Sequence, residues 1–452
     1  MELNGRRIVV MGLGRFGGGV GVTRFLAERG ARVLVTDTAD PVTLEDSLAK
    51  LDGLNVDLRL GEHREADFAG ADMVVVNPAV KPGDNRYLRA AREAGAELTS
   101  EMGLLVGHLP GRHRTIGITG TAGKSTVTAM IGHVLSEALG KRRVHVGGNL
   151  GGSLLSRLDA IGPDDPVVLE LSSFMLERLR DQQWSPAVAV VTNLTANHLD
   201  WHGSFEAYAA AKQVMLAHQR PGDRAVIRGR AERHLTLAPG VNRIEAAEAM
   251  QAVSAITMKL PGEHNRDNAV TATMAVLAAT LHAAGLDADR IARSLAAFPG
   301  LPHRLQLAGQ RGGVRCFNDS KSTTPDAVRQ ALACFPPGTV HLILGGRDKG
   351  SDLPALAADV AATCRGVYTI GETGPALAQA VSEAGGVAHC VQTLDAATAA
   401  ATAAASPGEV VVLSPGFASM DQFHNYEHRG QAFIEALYHH GFVAETAASA
   451  HG

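Results

Sequence analysis

Lys124 sits in the setting that speaks most directly of chemistry. It follows Gly120-Thr121-Ala122-Gly123 and precedes Ser125-Thr126, with the apolar run Thr115 to Thr119 before the loop and a helical stretch from Val127 after it. Strand, glycine turn and helix in that order gather backbone N–H groups and a positive helix end around a phosphate. Lys124 then neutralises charge on the terminal phosphate, and the Ser125 hydroxyl is placed to hold magnesium. The usual spacing of such loops asks for glycine at position 118, where this chain has Ile118, so the loop is a variant.

Two more apolar runs end in groups that suit the same task. Val167 to Leu171 delivers Glu170, and Ala187 to Thr192 leads into Asn193-Leu-Thr-Ala-Asn-His198. A carboxylate and an imidazole beside a phosphate loop complete the coordination of one or two divalent ions on nucleotide oxygens. Lys212 follows on an amphipathic helix through Tyr208, where charge patterning alone gives a solvated lysine. Further on, Asn318-Asp319-Ser-Lys321-Ser-Thr323, Gly345-Gly-Arg-Asp-Lys349 and Ser414-Pro-Gly-Phe-Ala-Ser419 each follow an apolar run. A small dicarboxylate leaving water must regain hydrogen bonds and countercharge, and these loops offer both. Gly12-Leu-Gly14-Arg-Phe-Gly17, with Asp37 about 20 residues on, reads as a dinucleotide fingerprint, which keeps a nicotinamide oxidoreductase open as an alternative.

The elements that must position these groups are short Val/Ile/Leu runs alternating with longer Ala/Leu-rich helical stretches, the pattern of parallel sheets covered by helices. The predicted class is α/β. Ile8 to Met11, Val33 to Thr36 and Met73 to Val76 form a first sheet. Thr115 to Thr119, Val167 to Leu171, Ala187 to Thr192 and Arg224 to Ile227 form a second. Val314 to Phe317, Val340 to Leu344, Val367 to Ile370 and Val410 to Leu413 form a third. Phe298-Pro-Gly-Leu-Pro302 is the linker before that third sheet, and the tail from Ala444 carries no element. In 452 residues this predicts three domains, at 1–98, 99–300 and 301–452. A formal charge of -4 provides no basic stripe for nucleic acid or an anionic membrane. The four cysteines show no CxxC spacing, the first strand leaves no room for a cleavable signal, and no apolar run suits a membrane span. A cytoplasmic protein with small-molecule partners is expected.

Taken together, Thr119-Gly-Thr-Ala-Gly-Lys-Ser-Thr126, Glu170-Leu-Ser-Ser-Phe174, Asn197-His-Leu-Asp-Trp-His-Gly203 with Tyr208 and Lys212, and Gly262-Glu-His-Asn-Arg-Asp-Asn268 resemble the Mur ligase family. The resemblance covers essentially the whole chain. It implies a Rossmann-like N-terminal domain, a central P-loop-type ATPase domain and a Rossmann-like C-terminal domain. It implies ATP bound by Gly120 to Thr126, Asn268, Arg304 and Asp319, with catalysis by Lys124, Glu170, His198 and Lys212. Magnesium, or manganese in its place, would be held by Ser125, Glu170, His198 and Lys212, with Lys212 carbamylated. The third-domain stretches, with Arg429-Gly430, resemble the members that add D-glutamate, which would be held by Lys321, Thr323, Lys349, Ser419 and Tyr426. The partner substrate implied is UDP-N-acetylmuramoyl-L-alanine, met through Gly14, Asp37 and Asn149, and the protein is expected to act as a monomer.

The chain departs from the family pattern at Arg15, Phe16 and Ala39 in the first domain, and at Ala122, Gln306, Thr324 and Tyr426. A related ligase of the folylpolyglutamate type shares the phosphate loop but has no need of a UDP-binding first domain. Closure of the domains over three ligands is also expected.

Overall fold

In the computed structural model, residues 2–14, 17–81, 85–279, 285–348 and 350–443 are described. Lys349, Arg15, Phe16 and the tail from Ala444 lie outside the described residues. The first sheet contains β1 (Arg7–Met11), β2 (Arg32–Asp37), β3 (Val56–Leu60), β4 (Met73–Val76) and β5 (Glu97–Thr99), in the order β3-β2-β1-β4-β5 and parallel throughout. The second contains β6 (Thr115–Thr119), β7 (His145–Gly148), β8 (Val167–Glu170), β9 (Val188–Val191), β10 (Arg224–Ile227) and β11 (Asn242–Arg243), also parallel, in the order β11-β10-β9-β6-β8-β7. The third contains β12 (Gln306–Arg311), β13 (Val314–Asn318), β14 (Val340–Gly345), β15 (Cys364–Ile370), β16 (Ala388–Gln392) and β17 (Val410–Leu413). Its order is β12-β13-β17-β14-β15-β16, with β12 antiparallel to β13 and the rest parallel.

In each sheet the sequential strand order is broken near the middle, and ligands in open parallel sheets gather beyond the carboxyl ends at such points. In the first sheet that point lies between β1 and β4, so it is served by the Gly12 loop and Asn77. In the second it is served by the loops after β6, β8 and β9. In the third it is served by the loops after β13, β17 and β14. Central strands are apolar because both faces are covered by helices; β9 (VAVV) and β17 (VVVL) are buried at every position.

The chain divides into two compact units, Met1–Ile256 with Asp267–Leu295, and Thr257–Arg266 with Ala296–Gly452. Within the first unit the two sheets share one apolar core. Val10, Phe25 and Leu26 belong to the same buried cluster as Leu105, Leu154, Leu155 and Leu169. Burying each such side chain stabilises by about 1.5–3 kcal/mol. Among the described residues no helix is long and apolar enough to cross a membrane.

Candidate active site

The loop after β6 opens into the helix Lys124–Leu139 through Gly123, whose φ of 80° is the left-handed geometry that a side chain resists. No side chain caps this helix, so its first N–H groups are left for a ligand. Asn268 reaches the same place: its Oδ1 lies where a Cβ on Gly123 would start. The loop is braced from β9, because Asn193 Oδ1 accepts from the N–H groups of Thr121 (3.2 Å) and Ala122 (2.9 Å), and Asn193 Nδ2 donates to the Ala122 carbonyl (3.1 Å). The Tyr208 hydroxyl meets Thr121 Oγ1 at 3.1 Å. Asn193 was not among the predicted site residues. Its position directly after an apolar run beside the loop was the signal for it. The Lys124 ammonium donates to the Thr121 carbonyl at 3.0 Å, folded over its own loop.

Ser125 and Glu170 are brought into direct contact. Parallel pairing sets Ile118 opposite Glu170, and Ser125 Oγ donates to Glu170 Oε1 at 3.2 Å. Asn149, on the loop after β7, donates through Nδ2 to that same oxygen at 3.0 Å. Glu170 is 1% exposed, and its Oε2 is buried with no hydrogen-bond partner, a costly state unless a ligand completes it. His198 has left-handed backbone geometry (φ 52°), and its ring packs against Phe174 at 5.0 Å. Burial, helped by the nearby Lys124 charge, holds its pKa below the ordinary value of 6.5, which favours the neutral imidazole a metal needs.

Lys212 is not the solvated lysine its helix suggests. It is 1% exposed, with Nζ donating to the Gly120 carbonyl (2.9 Å) and Thr119 Oγ1 (3.2 Å). Burial and then Lys124 push its ammonium down to about 6. Among the described residues no three His, Cys, Asp or Glu side chains gather as a metal site. A cation would therefore draw on a mixed set: hydroxyl, one carboxylate, imidazole and phosphate oxygens. Magnesium commonly binds that way, through one or two carboxylates with substrate phosphates, and the unpartnered Glu170 oxygen fits it.

In the same unit, a cavity of about 600 Å³ is lined by Gly12, Gly14, Asn77, Asn149, Phe174 and Trp201 among others. Asp37 fastens its glycine loop, accepting from Gly14 N at 3.1 Å and Ala39 N at 2.9 Å.

The second unit holds the remaining candidates. Lys321 Nζ lies 5.0 Å from the centre of the Tyr426 ring, Ser419 is buried, and Thr323 is exposed. Arg304 is flanked by two left-handed residues, His303 (φ 60°) and Leu305 (φ 43°). Asp319 is turned inward. Its Oδ1 accepts from Leu305 N (3.1 Å), and its Oδ2 accepts from Ser322 Oγ (2.5 Å) and Ser414 Oγ (2.9 Å).

Burial pushes the Asp319 carboxyl up to about 6, from an ordinary 3.8, and those hydrogen bonds offset it only in part. Between these values the folded chain keeps a proton that the unfolded chain has lost, so this group's contribution to stability falls as pH rises from about 4 through about 6. Asp319→Asn has no charge to desolvate, and the serine hydroxyls can turn to accept from its amide. The variant is expected to be more stable than the parent at pH 7.5 by about 1–3 kcal/mol, with the gap closing below pH 4. Thermal melts at the two pH values check this, and a gap that does not depend on pH refutes it.

Comparison with known proteins matches three segments of the chain. Residues 6–100 match "Mur ligase MurD-like, N-terminal domain", 118–247 match "Mur ligase middle domain" and 303–417 match "Mur ligase, glutamate ligase domain". The first of these answers the dinucleotide reading of the Gly12 loop. A UDP-N-acetylmuramoylalanine–D-glutamate ligase of Roseiflexus sp. (strain RS-1) is 39% identical over 96% of this chain and 98% of its own length. One of Acidobacterium capsulatum is 37% identical over 100% of both chains. Among solved structures, the UDP-N-acetylmuramate-alanine ligase of Thermotoga maritima superposes with a TM-score of 0.57 at 20% identity, covering 96% of this chain and 100% of that one. The MurF ligase of the same organism, in complex with ADP, gives 0.54 at 15% identity, covering 97% and 96%. These two structures speak for the fold alone.

Proposed function

The chain belongs to the Mur ligase family, and from that premise we propose that it joins D-glutamate to UDP-N-acetylmuramoyl-L-alanine, driven by cleavage of ATP to ADP and phosphate. The observation that carries this reading is full-length similarity, at 34–39% identity, to relatives that bear the D-glutamate ligase name. The alanyl carboxylate attacks the γ-phosphorus, the bond to ADP breaks, and an acyl phosphate forms. The D-glutamate amine then attacks the acyl carbon, loses a proton, and inorganic phosphate departs.

In this reading the domains are 1–98 for the UDP end, 99–300 for ATP and 301–452 for the amino acid. The amides of Gly120 to Thr126 and the open helix end bind the phosphates, with Asn268, Arg304 and Asp319 serving the nucleotide. Lys124 stabilises charge that grows on the transferring phosphoryl group, the largest lever in such chemistry. Ser125, Glu170 and His198, with Lys212 as a carbamate, would hold magnesium or manganese, which when bound screens the phosphate charges. Asn149 orients Glu170 through their 3.0 Å bond. The cavity beside Gly14 takes the nucleotide-sugar, and Lys321, Thr323, Lys349, Ser419 and Tyr426 take D-glutamate. A cytoplasmic monomer is part of the same proposal.

The test is phosphate release from ATP in the presence of UDP-N-acetylmuramoyl-L-alanine, comparing D-glutamate with L-glutamate, glycine, L-lysine and diaminopimelate. Stimulation by D-glutamate alone is expected. Stimulation by another amino acid instead would overturn the assignment of the third-domain residues.

A further inference from the structure

Arg429 is the largest fully buried side chain among the described residues, at 1% exposure. It lies in the helix Tyr426–His439, and among the described residues no carboxylate hydrogen-bonds to it, the Asp421 charge acting on it only from a distance. A buried guanidinium with no carboxylate in direct contact is costly, and strong acceptors around it must offset that cost. Here the acceptors come from two loops. Nε donates to Ser320 Oγ (3.0 Å) and Nη2 to the Ser320 carbonyl (2.9 Å), while Nη1 donates to the Phe417 carbonyl (3.1 Å). Ser320 directly precedes Lys321, and Phe417 lies two residues before Ser419.

The neighbouring groups tighten the same joint. Ser320 Oγ donates to the Tyr426 carbonyl at 2.8 Å, and Asn318 Nδ2 donates to the Gly430 carbonyl at 3.1 Å. Gly430 must lack a side chain, since a Cβ there would overlap the His303 ring and the Asn318 amide. Asp319, by contrast, is held by its own three bonds to Leu305, Ser322 and Ser414, none of which involves Arg429.

We propose that Arg429 is a positioning residue for the amino-acid substrate: its planar fork fixes the loop after β13 against the loop after β17, and so sets the spacing between Lys321 and Ser419. The proposal rests on the reading of those two residues as D-glutamate contacts. A lysine carries the charge but not the fork, and it cannot hold two loops in one plane.

Arg429→Lys is therefore expected to raise the KM for D-glutamate by about 10- to 100-fold. The KM values for ATP and the UDP-substrate should stay within about threefold, because Asp319 and the first-unit groups are held independently. The parent enzyme is assayed first. If it shows no D-glutamate-dependent phosphate release, the underlying reading fails. If the parent responds but the variant's three KM values move together, or none moves, Arg429 is only structural and the proposal is overturned. Should Arg429→Lys not fold, Ser320→Ala decides: it removes one acceptor and leaves both carbonyls, and a rise in the D-glutamate KM alone supports the proposal, whereas no selective rise overturns it.

Discussion

Replacing Lys124 by alanine is expected to cut D-glutamate-dependent phosphate release by about 100- to 1000-fold, the loss seen when one donor to a developing charge is removed. The ammonium sits at the mouth of an uncapped helix, where its charge can meet a terminal phosphate. Stability should hardly change. Lys124 lowers the pKa of both Lys212 and His198, so it repels their protonated forms, and deleting it relieves that repulsion in exchange for its hydrogen bond to the Thr121 carbonyl. Phosphate release and thermal melting, measured on the same preparation, check both halves. Full activity in the variant would remove the phosphate loop from the mechanism. A cooperative melt lost altogether would mean that the lysine is structural.

The second large effect is at Lys212, where alanine should abolish turnover to a similar degree and short carboxylates should restore part of it. The buried amine, pushed down to about 6, is largely neutral at pH 7. A neutral amine is a nucleophile towards carbon dioxide: the N–C bond forms, a proton leaves, and the side chain ends in a carboxylate of the kind a divalent cation prefers. Truncation to alanine vacates the length of that side chain beside Gly120 and Thr119, leaving space for formate or acetate. Activity measured against added formate should rise and saturate. If no short carboxylate restores activity, the working group is the amine itself, and the carbamate is dropped.

The sequence makes the middle of each sheet legible and hides its margins. Runs such as Thr115–Thr119, Arg224–Ile227 and Val410–Leu413 coincide with β6, β10 and β17, because strands covered on both faces must be apolar along their length. The strands with no such signal are β3, β5, β7, β11, β12 and β16, and each lies at an edge of its sheet. An edge strand is half exposed and tolerates polar side chains, as in β12 (QLAGQR) and β16 (AHCVQ), so it carries no continuous apolar run.

The same reason governs the site. Ser125, Glu170 and His198 announce themselves by following apolar runs with chemistry-bearing side chains. Lys212 does not, because whether a helical lysine is buried depends on what the helix packs against. The bond from Ser414 to Asp319 and the anchoring of Ser320 by Arg429 join pairs 95 and 109 residues apart, and no local pattern reports them.

The single apolar core beneath the first two sheets bears on how such a chain can be recombined. A cut at residue 98 falls inside β5, and it also runs through one cluster that holds Phe25 and Leu26 together with Leu105, Leu154 and Leu155. A grafted first domain taken from another ligase would bring only half of that interface, and the mismatch would be felt as a cavity or an overlap in the recipient. The exchangeable cassette is therefore larger than the first sheet and its helices: it must carry the helix Glu101–His108 and the segment Leu155–Ala160 with it.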